Sequence, residues 1–524
     1  MNKMQHVLLA ACLAAGCVFS AVAGSPIASA PVMQVAGESS RAPAHKSAQT
    51  WRASTQAVAT ARVAYRPLDL SRIVEVQRYN DRRQAKPAQI GIGRRLTREG
   101  LGNAQALRWT ALPDGGAVAR LHVASPDAEG LRVALQVRGL HPQVELRFAG
   151  SDDAGQVVAV VRADQAQRLA DAAGLYWTPS TDGPAQIIEI YRPAGVPAAM
   201  ARVAAPEISH LLANSRSDFK IAPKIGESAS CNVDAICRVG ELGGNYVLAK
   251  NAVARMQFID RDDNGNNASY ICTGTLLNDS VAATQVPYFY TAAHCISGQT
   301  AASTLNTFWR YERTTCGSGQ SGAATQLSGG AAYLYGDTDT DALLLRLNDA
   351  APAGAEFAGW DATAMAPSSA VVAIHHPSGD VKKVSLGTHV PAASDRTHHA
   401  VGWTSGTTEG GSSGSGLFTL HYDGYRLRGG LHGGDASCAN SGSLGTPGNR
   451  DYYSRLDVIF PRIRQWLAPD PIRVNGAQPL VRSAALPVPS TAAAPASAAV
   501  ATDLPRETVP PSRERIPALP HRVR

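Results

Sequence analysis

Cysteine is absent from a long stretch of this 524-residue chain: none lies between Cys17 and Cys231. No disulfide can staple that part, so any fold there rests on its own core. Long apolar runs are missing too. After the first 23 residues, no stretch reaches the roughly 18 to 20 uninterrupted apolar residues that a membrane helix needs. C-x2-C pairs are missing, and only Cys295 has a neighbouring histidine, so the cysteines do not read as a zinc site. A strong charge of either sign is missing. The formal net charge is +7, and some of the arginine falls in the end segments. That describes a dispersed basic surface and gives no ground for a nucleic-acid partner. No internal repeat is present either. What remains is 17% charged and 44% hydrophobic, with 48 glycines and 32 prolines, a mix that suits a soluble, turn-rich β protein. The length predicts two or three domains.

The first residues read as an export signal, spanning 1–23. Lys3 supplies the positive end, Val7 to Val22 is apolar and small, and Ala21-Val22-Ala23 is an A-x-A cleavage site. The apolar stretch before Cys12 is too short for a lipoprotein signal. With the signal removed, the expected location is extracellular, with no membrane attachment. Cys12 and Cys17 leave with it. The remaining six are Cys231, Cys237, Cys272, Cys295, Cys316 and Cys438, and an even count in an exported chain predicts disulfides. Their pairing is open at this point, since six cysteines allow fifteen arrangements.

Three further segments are expected. Residues 24 to about 65, rich in Ala, Ser and Pro, read as a flexible leader. From about 66 to 205, short alternating runs such as Arg132 to Val137 and Ile187 to Tyr191 alternate with turn clusters such as Pro113-Asp114-Gly115-Gly116, predicting a small all-β unit. Residues 206 to 224 read as a polar linker. Beyond Cys231 short strands resume, and Asp457 to Leu467 predicts a closing helix. From Pro469 the chain is Pro-, Ala- and Arg-rich without periodicity, which predicts a disordered tail.

Three motifs carry chemistry. GGSSGSGLF, Gly410 to Phe418, fits G-x-S-G-[GS] and makes Ser413 the nucleophile. Ser412 takes the variable position and Ser415 the final small one. TAAHC, Thr291 to Cys295, offers His294 as a base. DTDTDALLLRL, Asp337 to Leu347, offers Asp341 where a hydrophobic strand begins. Asp337 and Asp339 read as solvated loop acids. A serine hydroxyl is a poor nucleophile unless a base stands within hydrogen-bond reach and a carboxylate orients that base. The small residues around Ser413 would let the N–H groups of Gly411 and Ser413 converge on a developing oxyanion. The order His, Asp, Ser is the one used by chymotrypsin-like double β-barrels. His375-His376 invites a metal reading, but adjacent histidines do not readily share an ion, and a loop role is expected.

The stretch from Cys231 to about Leu467 resembles the bacterial lysyl endopeptidases, secreted trypsin-like serine proteases. It does so through CNVDAIC (231–237), CTGTLL (272–277), FAGWD (357–361), AIHHPSGDVKK (373–383), TEGGSSGSGLF (408–418), GGLHGGDASC (429–438) and DYYSRL (451–456). The resemblance implies an all-β fold, a double β-barrel protease at 225–468 behind a β-rich propeptide at 24–224, with a tail at 469–524. It implies the triad His294, Asp341 and Ser413, and the disulfides Cys231–Cys438, Cys237–Cys316 and Cys272–Cys295. In trypsin the pocket acid stands six residues before the nucleophile, where this chain has Thr407. Lysyl endopeptidases take it from a later segment, which makes Asp451 the candidate. His432 matches an imidazole that flanks the cleft, and Leu431 to Gly433 an edge strand for the substrate backbone. The relatives stack a tryptophan on that histidine, and no tryptophan lies between Trp360 and Trp403 to do so here. The implied activity is cleavage after basic residues, lysine preferred, with no cofactor or metal. The partners are protein or peptide substrates and the chain's own propeptide, in a monomer. Two alternatives are kept: another P1 preference, and a protease-like binding module that does not cleave. The mature N-terminus is expected near Ile225, after a cut at Lys224.

Overall fold

The computed structural model describes residues 32–43, 49–53, 58–82, 87–100, 106–214, 227–319 and 321–469. The expected signal, the cut at Lys224 and the tail from 470 onward lie outside the described residues.

The N-terminal unit is built from two sheets. One runs Thr60–Ala64, Ala117–Ala124, Ala185–Arg192, Glu145–Gly150, Ala159–Arg162. Every second residue of the strand Gly130–Gln136 in the other sheet (Leu131, Val133 and Leu135) is buried with Leu121, Val123, Phe148, Ile188 and Ile190. This is the two-residue period of a strand, and here the other face, with Arg132 and Ala134, is buried as well. The unit is not all-β. Leu70–Arg82 is a helix (α1), followed by the strand Ala88–Arg95 (β1). Ile73 and Val76, three apart, put one helix face against Ile90 and Ile92. The expected linker is a correction as well. Ala204–Leu211 is a strand between Gly130–Gln136 and β1. Its polar residues are buried with partners: Ser209 meets Ser269, and His210 meets Ser125. A polar composition alone therefore misled. The expected leader is also partly ordered. Gln34–Val35 pairs with Gly359–Asp361, and Glu38–Ser39 with Glu356–Phe357.

The C-terminal unit begins with a set of antiparallel strands. These are Val253–Arg261 (β2), Asn267–Leu277 (β3), Tyr288–Ala292 (β4), Asn306–Trp309 (β5), Ala331–Asp337 (β6) and Ala342–Leu347 (β7). They are joined β5–β2–β3–β4–β7–β6, a half-barrel open between its end strands. Its interior holds Met256, Phe258, Leu276, Phe289, Leu343 and Leu345. A second barrel closes completely. Ala370–His375 (β8), Lys383–His389 (β9), His398–Ser405 (β10), Gly416–His421 (β11), Gly424–Gly434 (β12) and Asp451–Ser454 (β13) are its strands. The ring runs β8–β9–β10–β13–β12–β11 and back to β8. The last element, the helix Leu456–Leu467 (α2), buries Ile459, Phe460, Ile463 and Leu467. Their three- and four-residue spacing gives one apolar face.

The two units share a sheet. β1 pairs antiparallel with the first half of β3, Ala88 opposite Ile271 and Ile92 opposite Ala268. At Gly93 a side chain is excluded, because a Cβ would stand 1.8 Å from the Asn267 carbonyl oxygen.

Candidate active site

Strand pairing brings the first two candidate residues together. β4 and β7 align Ala292 with Ala342. Asp341 is the residue before Ala342, and His294 lies two beyond Ala292, so both emerge at the same end of the pair. The Ala293 N–H donates to the Asp341 carbonyl at 3.0 Å, and the His294 N–H to Asp341 Oδ1 at 2.8 Å. His294 Nδ1 then donates to Asp341 Oδ2 at 2.5 Å. Asp341 takes this posture in the left-handed region, φ 58°. Few residues besides Gly, Asn and Asp tolerate that region. Burial alone would raise the Asp341 pKa. The bonds and charge of His294, with a bond from His432, instead hold it down to about 2. The carboxylate therefore stays ionised and fixes the proton of His294 on Nδ1, leaving Nε2 as the basic nitrogen.

A second imidazole uses the same oxygen. His432 sits in β12 where the register with β13 shifts between Leu431 and Gly433. Its Nδ1 lies 2.7 Å from Asp341 Oδ2, and that bond raises its pKa against the opposing effect of burial. The His398 ring on β10 lies 5.0 Å from that of His432, tilted at 45° to it. β11 pairs with β12 only as far as Gly430; the backbone of Leu431 then meets Gly414 and Ser415, and beyond it, among the described residues, no strand pairs with that edge of β12. The donor atoms of His294, Asp341 and His432 lie within 4.8 Å of one another. A cation could be held there only by displacing both hydrogen bonds to Asp341.

Ser413 is fully buried in a loop braced from several sides. Its carbonyl accepts from the Thr273 N–H at 2.8 Å, and the Gly411 carbonyl from the Thr273 hydroxyl at 2.9 Å. Gly414 has φ 78°, and a Cβ there would stand 2.0 Å from Thr291 Oγ1. That close approach packs the serine loop against the strand that carries His294. The Gly414 N–H donates to the Leu431 carbonyl, which joins the loop to β12. The Ser412 N–H donates to the Glu409 carbonyl at 2.9 Å, and Gly411 holds φ 90°. Glu409 accepts from the Ala229 N–H, Asn232 Nδ2 and the Ser378 hydroxyl.

His375 and His376 are fully buried; the expected loop role fits His376, just past β8, and is corrected for His375, which lies in the strand. His375 closes β8 and bridges Ser412 Oγ at 2.8 Å and Ser385 Oγ at 3.0 Å. Burial, with the charge of Lys383 beside it, lowers its pKa to about 3, so it is a neutral strut behind the serine loop. His376 points Nδ1 at the Asp380 carbonyl. Asp337 is likewise no solvated acid: it accepts from Tyr335, Asp339 N–H, Thr340 N–H and Arg462. Asp339 is exposed.

Asp451 opens β13 and is fully buried. Its Oδ2 accepts from Trp403 Nε1 and Thr408 Oγ1, each at 2.7 Å. Thr408 belongs to the loop that carries Ser413, so Asp451 and Ser413 share a scaffold. Thr407 is buried and offers its carbonyl to Ser385. The disulfides join Cys231 to Cys438, Cys237 to Cys316 and Cys272 to Cys295. The last ties β3 to the residue after His294. Sequence reasoning missed Thr273, His375, Trp403, Thr408, Glu409 and His398. Only the paired histidines stood out in the sequence, and they were read as loop residues rather than as braces.

Comparisons with known proteins agree on one family. A family model described as "Lysyl endopeptidase, C-terminal domain" matches residues 225–454. One described as "Lysyl endopeptidase N-terminal domain" matches residues 64–212, a region where the sequence offered no usable likeness. A protein of Pseudomonas aeruginosa named lysyl endopeptidase is 36% identical over 400 residues, 73% of this chain and 82% of that one. Among solved structures, an inactive serine-to-alanine mutant of Rv3671c from M. tuberculosis covers 44% of this chain and 94% of that one. It does so at 12% identity and a TM-score of 0.27, too low to carry an argument.

Proposed function

The chain belongs to the lysyl endopeptidase family of serine proteases, and from that premise we propose that it is an exported precursor whose mature enzyme cleaves after lysine. The observation that carries the reading is the set of bonds at Asp341 beside the braced serine loop. His294, with its proton on Nδ1, takes the Ser413 proton at Nε2 as the hydroxyl attacks the scissile carbonyl. The N–H groups of Gly411 and Ser413 receive the oxyanion, usually a large contribution in acyl transfer. His294 then protonates the leaving amine, and water releases the acyl group from Ser413 by the same base.

The P1 reading rests on Asp451. A buried carboxylate favours a cationic side chain, because an unpaired buried charge is costly. Trp403 and Thr408 both engage Oδ2. A guanidinium fork needs both carboxylate oxygens in its own plane, whereas an ammonium is a point donor. This favours lysine over arginine. Export is supported by the N-terminal signal pattern and three disulfides. Among the described residues no helix is long and apolar enough to cross a membrane. Residues 24 to 224 act as propeptide, cut off after Lys224 by the enzyme itself.

The test is a panel of peptides that differ only at P1, run on wild type and Asp451→Asn. Lysine leads in wild type, and the substitution lowers kcat/KM for lysine far more than for leucine. Equal losses would remove Asp451 from the pocket. Labelling of Ser413 by a fluorophosphonate separates an enzyme from a non-cleaving module, which stays unlabelled.

A further inference from the structure

The serine loop has two flanks. On one, Gly414 and Ser415 are bonded to Leu431 of β12, the strand that leads to Asp451 and the acyl side of a substrate. On the other, the loop meets Ile271 of β3: a Cβ on Gly411 would stand 3.0 Å from Ile271 Cδ1. With the acyl side on the first flank, a bound substrate would send the residues after the cleaved bond over this second one.

β1 of the N-terminal unit occupies it. Followed backwards from Ile92 to Ala88, β1 runs along β3 from Ala268 to Ile271. Two residues further along β3, Thr273 holds the backbone of Ser413 and Gly411. A Cβ on Gly410 would lie 3.4 Å from the Ala88 methyl, so β1 begins in contact with the nucleophile loop. The seat is well made. Ile90 and Ile92 share an apolar cluster with Ile271, Ile73 and Val76. Asn80 of α1 takes both backbone groups of Gln89, at 2.8 and 2.9 Å. Tyr79 lies against Tyr270, with ring centroids 6.1 Å apart. Ser209 and Ser269 share a hydrogen bond of 2.7 Å.

We propose that β1 is a strand-added occupant of the leaving-group side of the cleft, through which the N-terminal unit shuts out extended substrates even after its covalent link is cut. The mode is β-augmentation. The intact chain supplies the occupant at an effective concentration in the millimolar range. The proposal rests on the reading of Ser413 as the nucleophile.

The test uses the full chain carrying Lys224→Gln, with two substrates. One is a blocked lysine thioester with nothing but the thiol beyond the lysine. The other is a peptide with four residues beyond it. The intact chain hydrolyses the thioester, while cleavage of the peptide is suppressed by roughly 100-fold or more relative to the mature enzyme. Ala88→Arg, which drives a bulky charge into Gly410 and Ile271, restores peptide cleavage and leaves the thioester rate unchanged. A peptide-to-thioester ratio equal to that of the mature enzyme would overturn the proposal. So would a ratio that Ala88→Arg leaves suppressed while fluorophosphonate labelling shows a folded site. If Ala88→Arg does not label, hydrogen exchange on full-chain Ser413→Ala, nicked between 214 and 227, decides instead. Continued protection of the amides at 268–271 supports the proposal, and rapid exchange there sinks it. Loss of thioester hydrolysis and labelling in every form, mature enzyme included, would instead bring down the catalytic reading itself.

Discussion

Asp341 Oδ2 receives hydrogen bonds from two imidazoles, so the carboxylate orients His294 while His432 limits its own movement. Ser413→Ala and His294→Ala are each expected to abolish turnover without unfolding the chain. The loss is of the order of 10⁶ and is not additive, because the residues act as a unit. Near-normal peptidase kinetics in Ser413→Ala would move the nucleophile elsewhere. His375 bears on position rather than on chemistry. His375→Leu takes one partner each from the buried hydroxyls of Ser412 and Ser385, which keep the Glu409 N–H and the Thr407 carbonyl, at about 0.5 to 1.5 kcal/mol of stability per lost bond. It is expected to lower kcat more than it raises KM, and a His375→Gln variant recovers part of the loss. Steady-state kinetics beside a thermal melt reads both. Ser413, His294 and Asp341 were legible as candidates because each sits in a short motif beside an apolar run. The braces were not, because Thr273, Thr408 and Glu409 act through hydrogen bonds to residues distant in the chain, which leave no pattern in a sequence.

At the level of elements, alternation and turn clusters exposed the strands, while α1 went unseen. Its buried face rests on only Ile73 and Val76, too sparse a signal against the surrounding alternation. The strand Ala204–Leu211 was hidden by Glu207, Ser209 and His210, polar residues that strands usually turn outward. Here each meets a partner: Glu207 and Ser209 reach Asn267 and Ser269 on β3, and His210 reaches Ser125. Disulfide pairing could not be read from spacing, and only three-dimensional proximity chooses among the fifteen arrangements. The Cys272–Cys295 bond closes β3 onto the turn of His294. Replacing both cysteines by serine is expected to remove about 2 to 5 kcal/mol. Catalysis should fall further than the melt alone accounts for, since the base is then held on one side only. Denaturant titration and kcat on the same preparation compare the two.

For the whole molecule, the shared sheet makes the pH response of one unit matter to the other. His210 is fully buried, in the strand that pairs with β1. Burial, reinforced by Arg94 and Arg72, lowers its pKa to about 3. In the unfolded chain the imidazole titrates near 6.5. The fold therefore keeps its full stability above about pH 6.5 and loses it progressively as pH falls toward 3, because only the unfolded form takes the proton. Melting of the intact precursor should show an acid slope over that window. His210→Gln should flatten it, by an amount of the order of a few kcal/mol; an unchanged slope would assign the effect to other groups, His375 among them. Glu409 adds a different consequence. It ties the serine loop to Ala229 and Asn232 while the N-terminal unit is still seated. The catalytic loop does not wait for a new chain end to shape it. On the proposed cut ahead of residue 227, the onset of activity would become a matter of residence time. That is a first-order lag, set by how long the departing segment stays on and indifferent to how much enzyme is present.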